Sequence, residues 1–276
     1  MDNHSGSSAY FKNKLVLITG GSSGIGYALA QRLGEEGAEL ILVSNDSANL
    51  QQAVSSLESS GKRVRGIPCD IRVQDQVAAM GRQILSEIGC PDILINCAGA
   101  CTYNTFEQAT LDEIRQLADL DYAGALQCTK VFVNSMIERK SGQIVNISSI
   151  AGGMVLTPNA VYCGAKHGLL AWSECLRYEL ARFAIKVNVI CPGRVNTHFF
   201  DHESFHRQGS RKVEKYNMSM DVLVKNSLKS IQKDRMITYI PGYFGLVAWA
   251  LDAFPFILKP VYRRMMLARI EEIYKH

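Results

Sequence analysis

Lys14-Leu-Val-Leu-Ile-Thr-Gly-Gly-Ser-Ser-Gly-Ile-Gly26 decides the fold, together with the stretch Tyr27-Ala-Leu-Ala-Gln-Arg-Leu33 that follows it. The residues before Gly20 form a short apolar run with β-branched members, which predicts a buried strand. A glycine-rich turn and a stretch with helical periodicity come next. This order predicts a dinucleotide site, because Gly20 and Gly24 let the backbone approach a pyrophosphate and Gly26 lets the helix pack on the strand. The amides at the start of the helix would face the anion.

The alternation of strands and helices continues along the chain. Further strands are predicted at Glu39–Val43, Arg63–Cys69, Pro91–Asn96, Gln143–Ser149, Lys186–Cys191 and Arg235–Pro241. Amphipathic helices lie between them, as over Val73–Ile88. We therefore expect an α/β fold, a Rossmann-type doubly wound parallel sheet of about seven strands with helices on both faces.

Length and composition fit a single domain over residues 1–276, with residues 1–10 as a flexible tail. Apolar residues make up 47% and charged residues 20%, the balance of a chain with a sizeable core. A net charge of +4 gives no argument for a nucleic-acid partner. The eight cysteines show no metal-binding spacing and indicate a reduced, cytoplasmic protein. We find no signal peptide, no membrane-spanning run and no metal site.

The tip of the second strand bears on the choice of nicotinamide cofactor. An acidic residue there would bind the 2′-hydroxyl of NAD, and a nearby arginine would hold the 2′-phosphate of NADP. Ser44 and Asn45 occupy the tip, and neither repels a phosphate, so NADP is favoured and NAD is left open. Asp46 is predicted to cap the next helix. Asp70 and Ile71, at the end of the third strand, are expected to touch adenine.

Tyr162 and Lys166 are four residues apart and would share one face of a helix. A lysine ammonium beside a phenol favours the phenolate and would lower the tyrosine pKa toward the working range of an acid–base catalyst. This spacing arises often by chance, so the pair gains its meaning from the motifs around it.

Those motifs together resemble the short-chain dehydrogenase/reductase family over about residues 12–197. They occur in the family's order and spacing: Thr19-Gly-Gly-Ser-Ser-Gly-Ile-Gly26, Asp70, Asn96-Cys-Ala-Gly99, Ser149, Tyr162-Cys-Gly-Ala-Lys166 and Pro192-Gly-Arg-Val-Asn-Thr197. The resemblance implies an oxidoreductase with a nicotinamide cofactor. It also implies a homodimer or homotetramer formed through the helix that carries Tyr162.

The resemblance assigns a role to each catalytic residue. Ser149, thirteen positions before the tyrosine, would hydrogen-bond the substrate oxygen, and Tyr162 would transfer the proton. Lys166 would lower the pKa of Tyr162 and hold the nicotinamide ribose. Asp121 stands where many members have an asparagine that anchors a water leading to the lysine; its charge is expected to bias the surroundings of Lys166.

The same resemblance implies a set of cofactor contacts. The full set is Gly20, Ser22, Ser23, Gly24, Ile25, Gly26, Ser44, Asn45, Asp70, Ile71, Asn96, Ala98, Gly99, Tyr162, Lys166, Pro192, Gly193, Val195 and Thr197. Cys97 departs from the second asparagine of the family's Asn-Asn-Ala-Gly pattern and should not disturb the turn.

Substrate and location should be encoded after Thr197, where the resemblance weakens. Residues 198–235 are predicted to form a substrate lid region. Its polar part, His198 to Lys215, is the lid, in which His202 and His206 are solvated side chains and not metal ligands, and a helix capped by Ser219 is predicted to follow. Residues 242–276 are apolar, interrupted by Asp252 and Pro255, and rich in cations near the end. This extension is predicted either to cover the substrate pocket or a partner subunit, or to lie at a membrane interface without spanning it.

The extension favours a large apolar substrate, and it loosely resembles the C-terminal segments of lipid-reducing family members such as 3-ketosphinganine reductases. The sequence thus predicts NADP-dependent interconversion of a ketone and a secondary alcohol on a lipophilic substrate, with a long-chain 3-oxo lipid first and a steroid second. A non-catalytic NADP-binding sensor or interaction protein is the alternative of another class. As partners we expect a small lipophilic molecule and no nucleic acid, with peripheral membrane contact as a further possibility for the C-terminal segment.

Overall fold

A single seven-stranded parallel sheet forms the centre of the computed structural model, which describes residues 8–195 and 218–274. The strands lie in the order β3-β2-β1-β4-β5-β6-β7 and every neighbouring pair is parallel. Their bounds are β1 Leu15–Thr19, β2 Glu39–Ser44, β3 Val64–Pro68, β4 Ile93–Asn96, β5 Gly142–Ile147, β6 Ile185–Pro192 and β7 Ile237–Ile240. The predicted fold class and all seven strands are confirmed.

Helices cover both faces of this sheet. In chain order they are α1 Ser8–Phe11, α2 Gly24–Glu35, α3 Ser47–Ser59, α4 Gln74–Glu87, α5 Leu111–Ala118, α6 Gly124–Glu138, α7 Ala160–Ala181, α8 Met220–Gln232, α9 Tyr243–Ala253 and α10 Pro255–Ile273. A π-helical turn, Asp119–Ala123, joins α5 to α6, and a 3₁₀ turn, Ile150–Gly152, follows β5.

Two apolar layers flank the sheet, because successive strand side chains point to opposite faces. Val16 and Ile18 of β1 belong to the layer under α2, α3 and α8, whereas Leu17 belongs to the layer under α4, α6 and α7. All three of these side chains are fully buried. The two layers fix the sheet rigidly enough to position side chains at its carboxyl edge.

The sheet has its topological switch point between β1 and β4. From β1 the chain builds outward through β2 and β3, and then crosses to the other side of β1 to form β4. The two strands end level with each other, with Thr19 paired to Asn96. In open α/β sheets, ligands bind in the crevice at this point.

The prediction of a flexible tail over residues 1–10 is wrong in part. Residues 8–10 lie in α1, because Phe11 is fully buried and the Tyr10 hydroxyl donates to Gln143 Oε1 at 2.8 Å. The helix predicted after Ser219 is confirmed as α8: the Ser219 side chain caps it, and its Leu223 and Ile231 are fully buried in the core. Residues 1–7 and 198–217, including His202 and His206, lie outside the described residues.

The helix pair α9–α10 ends the chain. No single helix among the described residues has the length and apolar composition needed to cross a membrane. Tyr243–Ala253 and Pro255–Glu271 reach that length and composition only together, and they are bent by 119° at their junction.

Candidate active site

The glycine-rich turn has the tight backbone that a nucleotide cradle requires. Gly20 and Gly24 adopt positive φ angles of 67° and 53°, which favour glycine. A Cβ on Gly20 would lie 2.8 Å from the Cα of Ala98, and one on Gly26 would lie 2.2 Å from the carbonyl oxygen of Gly20. Any side chain at these positions would close the turn, so the residues present fit a dinucleotide pyrophosphate.

The first turn of α2 presents backbone amides beside this cradle. Ser23 occupies the N-cap position in an extended conformation, and its side chain makes no capping hydrogen bond. The amides of Gly24, Ile25 and Gly26 have no acceptor within the helix, because the first amides of a helix lack one. They form a positive end that suits a phosphate group.

Thr19 is a functional residue that the sequence prediction left out of the site. Its hydroxyl oxygen accepts hydrogen bonds from the amides of Cys97 at 3.0 Å and Ala98 at 3.2 Å. It therefore fastens the loop after β4 to the end of β1, on the two sides of the switch point. Its position directly before the glycine-rich turn is the sequence feature that could have indicated this role.

The tip of β2 is polar and carries no carboxylate that faces the glycine-rich turn. Ser22 Oγ donates to Ser44 Oγ at 2.9 Å, which joins the turn to the strand tip. Asp46 is used as a helix cap, since its carboxylate accepts from the Asn49 amide at 3.0 Å, as predicted. Asn45 hydrogen-bonds the side chain of Asp70.

Asp70 is held by a cation that the sequence prediction did not consider. Arg72 donates from Nε to Asp70 Oδ1 at 2.9 Å and from Nη2 to Oδ2 at 2.6 Å. This pairing, together with the Asn45 hydrogen bond, holds the pKa of Asp70 below its usual value, against the opposing effect of burial. The neighbouring Ile71 is buried and packs in the core, close to Gly124.

Asn96 joins three elements behind the cofactor crevice. Its amide nitrogen donates to Thr129 on α6 at 3.1 Å and to Asn146 on β5 at 2.8 Å. Asn96 is 3% exposed, so its side chain supports the sheet and the turn through Ala98 and Gly99. Cofactor contacts by Asn96, Ala98 and Gly99 stay predictions.

Ser149, Tyr162 and Lys166 come together at the carboxyl end of β5. Ser149 directly follows β5, and Tyr162 and Lys166 lie one turn apart in α7. A hydrogen bond links the Ser149 and Tyr162 side chains. The Lys166 ammonium donates to the Ile147 carbonyl at 3.2 Å and lies 5.7 Å from the centre of the Tyr162 ring.

Ser148, the other serine at this strand end, has a supporting role. Its hydroxyl donates to the Lys166 carbonyl at 3.1 Å and is buried. It therefore ties β5 to α7, and the spacing that selected Ser149 agrees with the geometry.

Asp121 lies inside the active site and pairs directly with Lys166. Its Oδ1 is 3.0 Å from Lys166 Nζ, and its Oδ2 accepts from the Ala100 amide at 3.2 Å. The π-helical turn, an irregularity common at functional sites, places it there. Burial raises the pKa of Asp121, with Lys166 acting in the opposite direction. The predicted bias on Lys166 is thus an ion pair between two almost fully buried side chains.

The expected lowering of the Tyr162 pKa is wrong for this structure. Burial is the largest effect and raises the pKa well above its ordinary value; Cys101 and Asp121 raise it further, and the Ser149 hydrogen bond opposes them. The Lys166 ammonium is paired with the Asp121 carboxylate at 3.0 Å. Tyr162 therefore carries its proton at neutral pH.

The segment after β6 closes the cofactor side. The Gly193 amide donates to the Ile240 carbonyl at 2.7 Å, and Val195 bridges to Met218. Pro192 ends β6. Thr197 lies outside the described residues, and the predicted cofactor contacts of Pro192, Gly193 and Val195 stay predictions.

The substrate side of Tyr162 is apolar. A separate cluster of buried side chains surrounds it, formed by Cys101, Tyr103, Ala151 and Cys163, with Leu156 and Ile273 packed against them. A small cavity adjoins Tyr162 and is lined by Thr102, Asn104, Phe106, Ala109, Asn159, Ala160 and Val161. The hydroxyls of Ser149 and Tyr162 thus adjoin an apolar cluster with a small cavity beside it, which together we call the apolar chamber.

Helix α10 lies over this chamber, which agrees with the prediction that the extension covers the pocket. The Tyr262 hydroxyl donates to the Val155 carbonyl at 2.5 Å, and Thr157 donates to the Met266 carbonyl at 3.3 Å. Arg269 Nε donates to the Tyr103 hydroxyl at 3.2 Å. Ile273, a turn further on, packs against the apolar cluster.

The remaining candidates are placed away from chemistry. His167 Nδ1 lies 2.9 Å from the Cys163 carbonyl, one turn earlier in α7. Within residues 8–195 and 218–274, we find no cluster of side chains able to hold a metal ion.

Comparison with known proteins decides the family. The profile of the short chain dehydrogenase family matches residues 14–208. The chain belongs to this family. It is 36% identical over 183 residues to the ketoacyl reductase HetN of Nostoc sp., a match that covers 66% of this chain and 64% of that protein. The chain thus spans just under two thirds of this relative's length.

Solved short-chain dehydrogenases share the fold. One from Burkholderia phymatum, in complex with NAD, has a TM-score of 0.82 at 22% identity and covers 88% of this chain and 94% of its own. One from Sphingobium yanoikuyae, in complex with NADPH, has a TM-score of 0.79 at 26% identity and covers 90% and 95%. This member of the family therefore has the Rossmann architecture of solved short-chain dehydrogenases.

Proposed function

We propose that this short-chain dehydrogenase uses NADPH to reduce the ketone of a lipophilic substrate, a long-chain 3-oxo lipid. The observation that carries the proposal is the position of the Ser149–Tyr162 pair, which opens onto an apolar chamber roofed by α10. A chamber of this kind matches an acyl chain better than a sugar or a small acid.

The cradle and the strand tip would hold the cofactor. The amides of Gly24, Ile25 and Gly26 suit the pyrophosphate, while the serine pair Ser22–Ser44 stands where an NAD-binding enzyme would carry an acid. A bound nicotinamide would supply the hydride. Because no carboxylate repels a 2′-phosphate there, NADPH is preferred, with NADH as the second choice.

The protein's own residues would manage the oxygen and the proton. The Ser149 hydroxyl donates a hydrogen bond to the substrate oxygen, which stabilises the negative charge that develops as the carbonyl is reduced. Tyr162 donates the proton to the same oxygen. The raised pKa of Tyr162 favours this direction, because reduction needs the phenol protonated whereas oxidation needs it as phenolate.

Lys166 and Asp121 would act behind the tyrosine. Lys166, held by Asp121 and the Ile147 carbonyl, is positioned to bind the ribose hydroxyls of the cofactor. Asp121 orients the lysine and limits how far its charge reaches Tyr162. Asp121 is thus a positioning residue.

The similarity to a ketoacyl reductase supports the 3-oxo class. HetN is named for a ketoacyl substrate, and the match includes the region that carries the catalytic residues. A 3-ketosphinganine has the same reacting unit, a 3-oxo group on a long chain. A steroid ketone would also suit an apolar chamber and therefore belongs in the test.

Initial rates of NADPH and NADH oxidation would test this function with 3-oxoacyl thioesters of short, medium and long chain, 3-ketosphinganine and a steroid ketone. We expect kcat/KM to rise with chain length and to be higher with NADPH. Tyr162→Phe should lower kcat by about 10²–10⁴-fold and leave NADPH affinity nearly unchanged. Tight NADPH binding without turnover of any ketone would leave a non-catalytic sensor as the better description.

A further inference from the structure

The outward face of α9–α10 carries large apolar side chains that contact no other part of the described chain extensively. Phe256 is 94% exposed and Ile257 71% exposed, and Leu246 and Trp249 on α9 are each at least 60% exposed. Single exposed apolar residues are ordinary, but four large ones on one helix pair indicate a binding surface.

Cations lie among these apolar side chains. Lys259, Arg263 and Arg264 are exposed on α10, and the sequence has no acidic residue from Pro255 to Ile270. Within the described residues none of the three forms an ion pair. Apolar side chains interspersed with cations suit a bilayer interface. The apolar side chains enter the acyl region, and the cations contact anionic headgroups.

The other face of α10 is already occupied. Tyr262, Met266 and Arg269 hold the helix against the loops that bear Val155, Thr157 and Tyr103, as their hydrogen bonds show. The outward face is therefore presented by a helix that is anchored over the apolar chamber, and a surface bound there would lie beside the pocket.

Charge decides between a bilayer and a second copy of this chain. A symmetric dimer through this face would bring the same patch of each subunit together. The three cations of each subunit, Lys259, Arg263 and Arg264, would then share one interface with those of its partner, and like charges gathered at an interface are unfavourable. An anionic lipid surface complements them. A spanning arrangement is disfavoured by the 119° bend and by the cations within α10.

We propose that the outward face of α9–α10 binds an anionic lipid bilayer peripherally and sets the mouth of the substrate chamber at its surface. Delivery of a lipid substrate from the bilayer to Tyr162 rests on the proposed function, whereas the binding itself does not. Phe256 and Ile257 enter the interface, and the three cations contact lipid phosphates.

Flotation of the full chain with vesicles tests the proposal. The vesicles are phosphatidylcholine alone, or phosphatidylcholine and phosphatidylglycerol in equal parts. We expect the protein to float with the mixed vesicles, to bind the neutral ones far more weakly, and to be released by high salt. Phe256→Glu should lower the partition coefficient about ten-fold or more, because its ring would leave the interface. Replacing Arg263 and Arg264 with glutamine should lower it about five-fold per charge.

Val222→Glu is the matched control, since it places the same acid at an exposed apolar position on α8, away from the proposed surface. It should bind vesicles like the wild type. Failure of the wild type to float with mixed vesicles, or equal flotation of Phe256→Glu, would overturn the proposal. A second copy would be the occupant if the wild type does not float and Phe256→Glu converts a dimer to a monomer on size exclusion.

Turnover is measured separately, so that the two proposals can fail independently. Without vesicles, Phe256→Glu should reduce a short, water-soluble 3-oxo substrate within about two-fold of the wild-type rate, because Phe256 faces away from the chamber. Vesicle binding without any turnover would leave the docking in place and overturn the proposed function.

Discussion

The glycine-rich turn and the α9–α10 pair are built on opposite principles. In the turn, backbone groups are expected to contact the cofactor. Gly20 and Gly26 are required there because the neighbouring backbone leaves no room for a Cβ. In the helix pair, side chains are expected to make the contacts, and the backbone has ordinary helical geometry on both sides of the bend. The first region constrains residue type at single positions, whereas the second constrains only the character of a surface.

This difference explains why the sequence predicts individual cofactor-binding residues, whereas on the substrate side it predicts only the chemical class of the substrate. A backbone constraint leaves a fixed pattern in the sequence. An apolar chamber can be formed by many combinations of side chains. Three changes test the contrast, from a backbone position in the turn to the buried side chain of Asp121.

Gly26→Ala should have the largest effect. Its Cβ would lie 2.2 Å from the Gly20 carbonyl oxygen, so the turn must move. We expect the free energy of unfolding to fall by about 2–3 kcal/mol. NADPH affinity should fall about 100-fold, since the displaced turn is the pyrophosphate site and each 1.4 kcal/mol is about ten-fold. Thermal melts and fluorescence titration with NADPH measure the two quantities.

Gly164→Ala is the matched control, because nothing lies within 4 Å of a Cβ there and the residue is inside α7. It should leave NADPH affinity unchanged and raise stability by up to about 1 kcal/mol through helix propensity. If Gly26→Ala behaved like this control, the backbone of the turn would not be what binds the cofactor.

Ser44→Asp tests the position on the cofactor side where a side chain is expected to decide the preference between NADPH and NADH. A carboxylate at the tip of β2 would repel a 2′-phosphate and accept from a 2′-hydroxyl. The ratio of kcat/KM for NADPH to that for NADH should fall about 30-fold, as expected for about 2 kcal/mol of like-charge repulsion. Steady-state kinetics with both cofactors measure the ratio.

Ser55→Asp adds the same charge on α3, away from the strand tip, and should leave the ratio unchanged. An unchanged ratio in Ser44→Asp as well would mean that the ribose pocket lies elsewhere, for instance nearer Arg72. That residue, paired with Asp70, is the nearest cation the sequence prediction overlooked.

The seven strands and the Ser149–Tyr162 contact were predictable because short apolar runs and motif spacing depend on local sequence. The errors arose from long-range packing. Residues 8–10 were assigned to a flexible tail, because nothing in the local sequence indicates that Phe11 is fully buried in the core. The contact of Thr157 with Met266 joins residues 109 apart, and no local pattern reports it.

The pKa of Tyr162 was the least predictable property of the site. The spacing to Lys166 indicated a cation nearby, but the pKa depends on burial and on every other charge around the phenol. One of these, Asp121, lies in a π-helical turn 41 residues before Tyr162 in sequence. Motif spacing identified the reacting group and gave the wrong direction for its pKa.

Asp121→Asn tests that electrostatic balance directly. Removing the carboxylate takes away a charge that raises the Tyr162 pKa and frees the Lys166 charge to act on the phenol. The Tyr162 pKa should therefore fall. Oxidation of the secondary alcohol needs the phenolate, so its rate should rise at a lower pH than in the wild type. The alkaline limit of ketone reduction, which needs the phenol, should move the same way.

Rate–pH profiles in both directions measure this shift, and Asp119→Asn is the control because it makes the same chemical change at an exposed position of the same turn. A uniform loss of rate at every pH in Asp121→Asn would mean that the carboxylate only supports the structure. A shift toward higher pH would mean that Asp121 lowers the Tyr162 pKa, acting through the position it gives to Lys166. A shift toward lower pH requires the opposite balance, in which the charge of Asp121 outweighs its positioning of the lysine.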